Sequence, residues 1–149
     1  MEIDGINERI LRELSKDGRV SNAELADRVN LSPSACLRRV QELERVGVIQ
    51  GYRAVIDPEA MGRSFIAYIA VGLSNHSKSS QLGFERAMLL APQVRECHNI
   101  TGTIEYMLRI EVRDIAAYKL FHTETLGTVA NVNTIISYIV LESPKNERA

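Results

Sequence analysis

Between Ser32 and Val46 the sequence sets Ser34, Arg38, Glu42 and Arg45 four, four and three residues apart, with Arg39 and Gln41 beside them. At about 100° per residue these four gather on one side of an α-helix. Cys36, Leu37, Val40 and Leu43 form the expected buried side. Such a polar face can do recognition chemistry. An arginine grips a guanine edge bidentately, and serine hydroxyls or backbone N–H groups hold phosphate oxygens. Arg38 and Gln41 are the candidate base readers, Ser32, Ser34 and Arg39 the candidate phosphate contacts, and Arg45 extends the same face. Ser21 and Asn22 open a preceding helix, whose unpaired N–H groups attract anions. Glu42 and Glu44 work against a polyanionic partner, and an Arg/Glu face is often no more than a solvated one.

The elements that must position these residues are legible around them. Ser32 is a good N-cap, Pro33 suits the first helical position, and Gly47 stops the helix. Ser21-Asn22-Ala23-Glu24 has the capping-box pattern and precedes the apolar set Leu25, Ala26 and Val29. Asn30-Leu31 is a tight break. An earlier helix starts at Asp4, carries Ile6, Ile10, Leu11 and Leu14, and ends at Lys16-Asp17-Gly18, with Gly18 suited to a left-handed cap. Two short capped helices joined by a tight turn form a helix-turn-helix, whose second helix, Pro33 to Val46, enters the major groove. The boundaries expected are a helix-turn-helix over 1–50, a linker strand over 51–63 rich in β-formers, a second domain over 64–142 and a polar tail over 143–149.

The second domain changes period. Phe65 to Leu73 reads as a buried strand and Asn75 to Ser80 as a turn; Phe84, Ala87, Met88 and Ala91 then have helical spacing, closed by Pro92. Val94 to Ile100 is a strand and Thr101-Gly102-Thr103 a turn. Ile104 to Val112 alternates apolar and polar residues, Asp114 caps another helix, and Val132 to Leu141 is the last strand. The class is α+β, and the order is the ferredoxin-like β-α-β-β-α-β. Two helices cover one sheet face, yet the first and last strands are apolar on both. The same sheet of a second subunit is the simplest cover, so a homodimer is expected.

Composition bounds the function classes. The chain has 149 residues, 45% hydrophobic and 25% charged, an ordinary globular balance. No apolar run reaches the roughly 18 residues of a membrane helix, and the start Met1-Glu2-Ile3-Asp4 lacks a secretory pattern, so a cytoplasmic protein with no membrane partner is expected. Cys36 and Cys97 lack metal spacing and are expected to be reduced, packed side chains. Asn75 and Asn99 match the glycosylation pattern, which means nothing without secretion. His76, His98 and His122 are not spaced as ligands, and no catalytic triad, phosphate loop or paired-carboxylate motif occurs; no metal, cofactor or enzyme activity is expected. Net charge is −1, and residues 1–50 hold eight basic and nine acidic side chains. Bulk charge therefore gives no support to DNA binding, which must rest on charge placement and on more than one copy of the site.

Three stretches carry a resemblance. Ile10-Leu11-x-x-Leu14-x-x-Asp17-Gly18-Arg19 leads into Ala26-x-x-Val29-x-Leu31-Ser32-Pro33-Ser34. Arg38-x-x-x-Leu43-Glu44-x-x-Gly47-Val48-Ile49-x-Gly51-Tyr52 follows. With Glu96-Cys97-His98 and Thr101-Gly102-x-x-Glu105-Tyr106-Met107-Leu108, the chain from about Ile3 to Leu141 resembles the Lrp/AsnC, or feast/famine, regulators.

The resemblance implies a winged helix-turn-helix that binds double-stranded DNA, and a ferredoxin-like domain that forms homodimers, commonly assembled to octamers. It also implies a small-molecule effector, most often an amino acid, held between dimers around the turn before the third strand. On this chain that turn is Thr101, Gly102, Thr103, Ile104, Glu105 and Tyr106. Gly102 would let backbone approach a ligand, N–H groups would hold a carboxylate, and Glu105 would meet an amino group. A plain hairpin turn explains Gly102 equally well. Thr103 stands where the family usually has an acid, Glu105 where it has Asp, and Ala130-Asn131-Val132 replaces a frequent Pro-Gly-Val, so effector identity does not carry over. The expected function is sequence-specific regulation of amino-acid or related metabolism. Two rivals remain: a tetrapyrrole-modifying decarboxylase of similar architecture, using His98 or His122, and an assembly module with a vestigial helix-turn-helix.

Overall fold

Each of the first three helices begins where a short polar side chain accepts from a free backbone N–H, in a computed structural model that describes residues 3–147. Asp4 accepts from Asn7 N–H at 2.7 Å and starts α1 (Gly5–Lys16). Ser21 accepts from Glu24 N–H and starts α2 (Asn22–Val29); Ser32 accepts from Ala35 N–H and starts α3 (Pro33–Arg45). Asn30 takes the left-handed conformation at φ 57°, which turns the chain between α2 and α3. Gly47, at φ 77°, does the same after α3, and the N–H groups of Val48 and Ile49 both return to the Leu43 carbonyl. Ile10, Leu25, Ala26, Val29, Cys36 and Leu43 are the buried cluster of this unit, Met1–Val55.

Three details of the unit differ from the sequence expectation. Gly18 is not left-handed: α1 ends on an extended Asp17, whose carboxylate accepts from Arg19 N–H, and the open side of Gly18 faces the Tyr52 ring. The capping box is half formed, because Glu24 reaches forward to Arg28 at 2.6 Å instead of back to Ser21. Leu37 is 45% exposed, off the buried side of α3. The linker strand is also not formed. Residues 51–57 carry no ladder, and Tyr52, Val55 and Ile56 lie exposed.

The second unit, Ile56–Ala149, contains a four-stranded antiparallel sheet in the order β2-β3-β1-β4. Its elements are β1 (Phe65–Leu73), α4 (Lys78–Leu90), β2 (Val94–Asn99), β3 (Tyr106–Val112), α5 (Ile115–Leu120) and β4 (Val132–Ile139). A π turn (Phe121–Thr125) and a 3₁₀ turn (Leu126–Thr128) follow α5. The α4 helix starts inside the stretch read as turn, because Ser77 caps it through Ser80 N–H. Asn131 is left-handed at φ 68°, as its residue type allows.

Alternation along β1 and β3 divides the sheet. Ala67, Ile69, Val71, Tyr106, Leu108 and Ile110 are buried with Phe84 and Met88 of α4 and with Phe121 and Leu126. The opposite face carries Tyr68, paired with Tyr138, and Ala70, paired with Ile136. Tyr68, Ile136 and Tyr138 are 41%, 45% and 57% exposed. Beside this apolar strip, Glu111 is held by Arg109 at 2.5 Å with Arg63 and Arg95 within 4 Å. No helix of the described residues is long and apolar enough to cross a membrane.

Candidate nucleic-acid and effector sites

The rotation of α3 is fixed by burial of Cys36 and Leu43, and what remains outside is a stripe. Ser34, Leu37, Arg38, Gln41 and Arg45 are exposed and fall within about 100° of arc. Arg38 and Gln41 have no hydrogen-bond or ion-pair partner among the described residues, so both base-reading candidates are unengaged. Ser34 lies 3.3 Å from Ser32, hydroxyl to hydroxyl, at the start of the helix.

The other candidates are engaged in the fold. Arg39 donates to Asp4 at 2.7 Å and to Asn7 at 2.9 Å, tying α3 to the start of α1; it is a strut, not a free phosphate contact. Asn22 donates to the Pro33 carbonyl at 2.9 Å and so locks the turn between α2 and α3. The hydroxyls of Ser21 and Ser32 accept the capping N–H groups, which leaves each O–H as a donor. Arg45 is held by both oxygens of Glu42, at 2.8 and 2.7 Å.

That last pair also answers the objection raised by the acids of α3. The Arg45 hydrogen bonds hold the Glu42 carboxyl below its usual range. Glu44 accepts from the Tyr52 hydroxyl at 2.8 Å. Desolvation and then this carboxylate push the Tyr52 phenol up to about 12, so it stays a donor. Both acids are partnered, while Arg38 keeps its charge free for a ligand.

The turn between β2 and β3 splits along similar lines. Thr101, Gly102 and Thr103 are exposed, and Gly102 sits at φ 137°, where a side chain would be strained. The N–H groups of residues 101–104 donate to no acceptor among the described residues. Ile104 is half-buried. Glu105, proposed from sequence to meet an amino group, is instead a clip. One oxygen accepts from Leu73 N–H at 2.7 Å, and the other lies 2.8 Å from His76 Nδ1. Gly72 stands beside it, where a Cβ would come within 3.1 Å of Thr134. Tyr106 is 1% exposed, stacks on Phe84 at 4.6 Å and donates to Glu85 at 2.7 Å, so its side chain belongs to the core. Sequence reasoning missed His76 and Glu85; neither has a local signal, since each partner lies more than twenty residues away in the chain.

The histidines do not converge. His98 pairs with its neighbour Glu96, His122 packs near Tyr118, and His76 holds Glu105. Among the described residues no group of three His, Cys, Asp or Glu could hold a metal.

Comparison with known proteins matches this division. Residues 3–50 match the family described as winged helix-turn-helix DNA-binding, and residues 66–149 the Lrp/AsnC ligand binding domain. The leucine-responsive regulatory protein of Escherichia coli K12 is 39% identical over 144 residues, 97% of this chain and 88% of that protein. A transcriptional regulator of Neisseria meningitidis, solved as an L-Met complex, superposes with a TM-score of 0.93 at 33% identity, over 97% of this chain and 94% of its own. The feast or famine regulatory protein of M. tuberculosis, complexed with L-methionine, gives 0.86 at 33% identity, over 99% and 98%.

Two predictions follow from the engaged side chains. Asp4 is held below its ordinary 3.8, first by the Asn7 N–H and then by Arg39. A depressed carboxyl stabilises the fold above the unfolded value and loses that contribution as pH falls through the folded one. Acid denaturation followed by circular dichroism is expected to begin below about pH 4, and Asp4→Asn to make the curve shallower there; an unchanged curve would remove the strut. For the clip, Glu105→Ala leaves Leu73 N–H unpaired and is expected to cost about 1–3 kcal/mol in urea unfolding. Glu105→Gln keeps an acceptor and should cost less; equal losses would contradict the assignment.

Proposed function

The chain belongs to the Lrp/AsnC family of transcriptional regulators, in which a DNA-binding helix-turn-helix precedes a ligand-binding domain, and from that premise we propose that it reads a specific pseudo-palindromic operator under control of an amino acid. The observation that carries the reading is the unengaged Arg38 on the outward stripe of α3. Arg38 and Gln41 read base edges. Ser21, Ser32 and Ser34, with the N-terminal ends of α2 and α3, hold phosphates through hydroxyl donors and backbone N–H groups. Arg45, paired with both oxygens of Glu42, extends the stripe without adding net charge. Arg39 and Asn22 position the helix. The regulated genes are those of amino-acid or related metabolism.

The effector's carboxylate is received by the free N–H groups around Gly102. With Glu105 committed to Leu73 and His76, the effector's amino group needs an acceptor from another subunit. The site is therefore completed at a subunit interface. L-methionine in the N. meningitidis and M. tuberculosis relatives supports an amino acid as the class. Two copies meet through the open sheet face of Tyr68, Ile136 and Tyr138, and dimers assemble further, to octamers. Effector binding favours one assembly or dimer spacing over another, which is how it alters DNA affinity.

A gel-shift titration on the protein's own upstream DNA, with and without the twenty amino acids, tests the reading. A specific shift is expected that one amino acid changes. Arg38→Ala is expected to weaken it by about 1–3 kcal/mol, the worth of a base-contacting arginine. No shift beyond competitor DNA there or at neighbouring promoters would overturn the regulator reading. A shift indifferent to all twenty would remove the amino acid. Sedimentation at micromolar concentration should give a dimer or larger, and Tyr138→Arg should shift it towards monomer; a wild-type monomer would refute the shared sheet.

A further inference from the structure

We propose that Leu37 reads thymine, by packing against its C5 methyl group in the major groove. The inference rests on sequence-specific DNA binding through α3. Single exposed leucines are ordinary and carry no message; this one is set apart by where it stands. Leu37 is 45% exposed in the N-terminal half of α3, the part of a recognition helix that meets base edges. Its direction lies about 40° from Gln41 and about 60° from both Ser34 and Val40. It therefore leaves the buried side of Cys36 and Leu43 and joins the outward stripe.

Within that stripe Leu37 and Arg38 are adjacent in sequence and about 100° apart. With Ser34, Gln41 and Arg45 between them along the midline, one points to each wall of the groove. Their chemistries are complementary. Arg38 is charged and unpartnered, suited to the O6 and N7 acceptors of guanine. Leu37 offers only apolar surface, which would be wasted on a polar base edge. The thymine methyl is the apolar feature of the major-groove code. A half-site pairing a guanine under Arg38 with a thymine under Leu37 satisfies both.

The test removes the methyl without touching a hydrogen bond. Full-length protein selects duplexes from a random-sequence pool. The enriched duplex is then remade with deoxyuridine in place of thymidine, one position at a time. At one position in each half-site, wild type is expected to bind the deoxyuridine duplex about fourfold more weakly, the worth of one buried methyl. Leu37→Ala should bind both duplexes equally there, while Arg38→Ala keeps the difference. Thermal unfolding of Leu37→Ala should match wild type, since the side chain is outside the core. A wild type indifferent to deoxyuridine throughout overturns the proposal without any variant, as does a selected half-site lacking thymine. Leu37→Ala that retains the deoxyuridine penalty assigns the methyl to another residue. A pool yielding no enriched sequence would defeat sequence-specific reading itself, a failure distinct from that of Leu37 alone.

Discussion

Burial of Cys36 and Leu43 against the first two helices is the constraint on which the DNA-facing surface depends. A helix resting on a core has one free choice, its rotation about its own axis, and two buried side chains seven residues apart remove it. The six buried hydrophobic residues among the described part of the unit are few, as expected for a small domain with much surface. Polar ties therefore supplement them. Arg39 joins α3 to Asp4 and Asn7, and Asn22 joins α2 to the first turn of α3. Each tie consumes a side chain that could have met a phosphate. The fold thus decides which polar residues are left for recognition.

The second unit solves a comparable problem at the turn before β3. An exposed loop with Gly102 at a positive φ needs an anchor if its N–H groups are to be aimed. Glu105 and Tyr106 supply it on the β3 side, the first by accepting from Leu73 N–H and the second by entering the core beside Glu85. The two residues nearest the turn are spent on holding it. What faces outward is backbone, which recognises a carboxylate well and a side chain poorly.

Much of this was legible in the sequence, and the exceptions share a cause. The caps at Asp4, Ser21 and Ser32, the order of strands and helices, and Gly47 as a stop depend on neighbours within a few residues. Sequence carries those directly. Leu37 was assigned to the buried side because it is apolar and borders Cys36, although its direction is closer to Gln41 than to Val40. Arg39 reads as a phosphate contact by its type, and Glu105 reads as an effector contact because it falls in the turn that the family resemblance implies. Their partners lie 35 and 32 residues away, at Asp4 and Leu73, and spacing within one element cannot find them. Gly18 kept its place at a helix end but not its conformation, because Asp17 closes the helix by an extended residue and its own side chain.

Internal pairing also bears on how a chain with net charge −1 meets a polyanionic partner. Charge counted over a domain treats every acid as equally repulsive. In the first unit Asp4 is paired with Arg39, Glu13 and Glu24 with Arg28, and Glu42 with Arg45; Glu44 has the Tyr52 hydroxyl. Arg12, Arg19 and Arg38 have no ion-pair partner among the described residues. Pairing leaves the domain sum unchanged, since Glu8, Asp17, Asp27 and Glu44 have no cationic partner among the described residues, so the positive potential at the recognition face is local to the unpaired Arg38. It remains modest, because few free cations neutralise few phosphates, and affinity grows with the number neutralised. A single copy would hold DNA weakly. Two copies joined through the second unit, as proposed above, would turn the second contact into an intramolecular one, which raises affinity without any new residue. Weak reading by each unit and assembly by the other are thus one design. An effector that acts only on assembly can then govern binding at a surface it never touches.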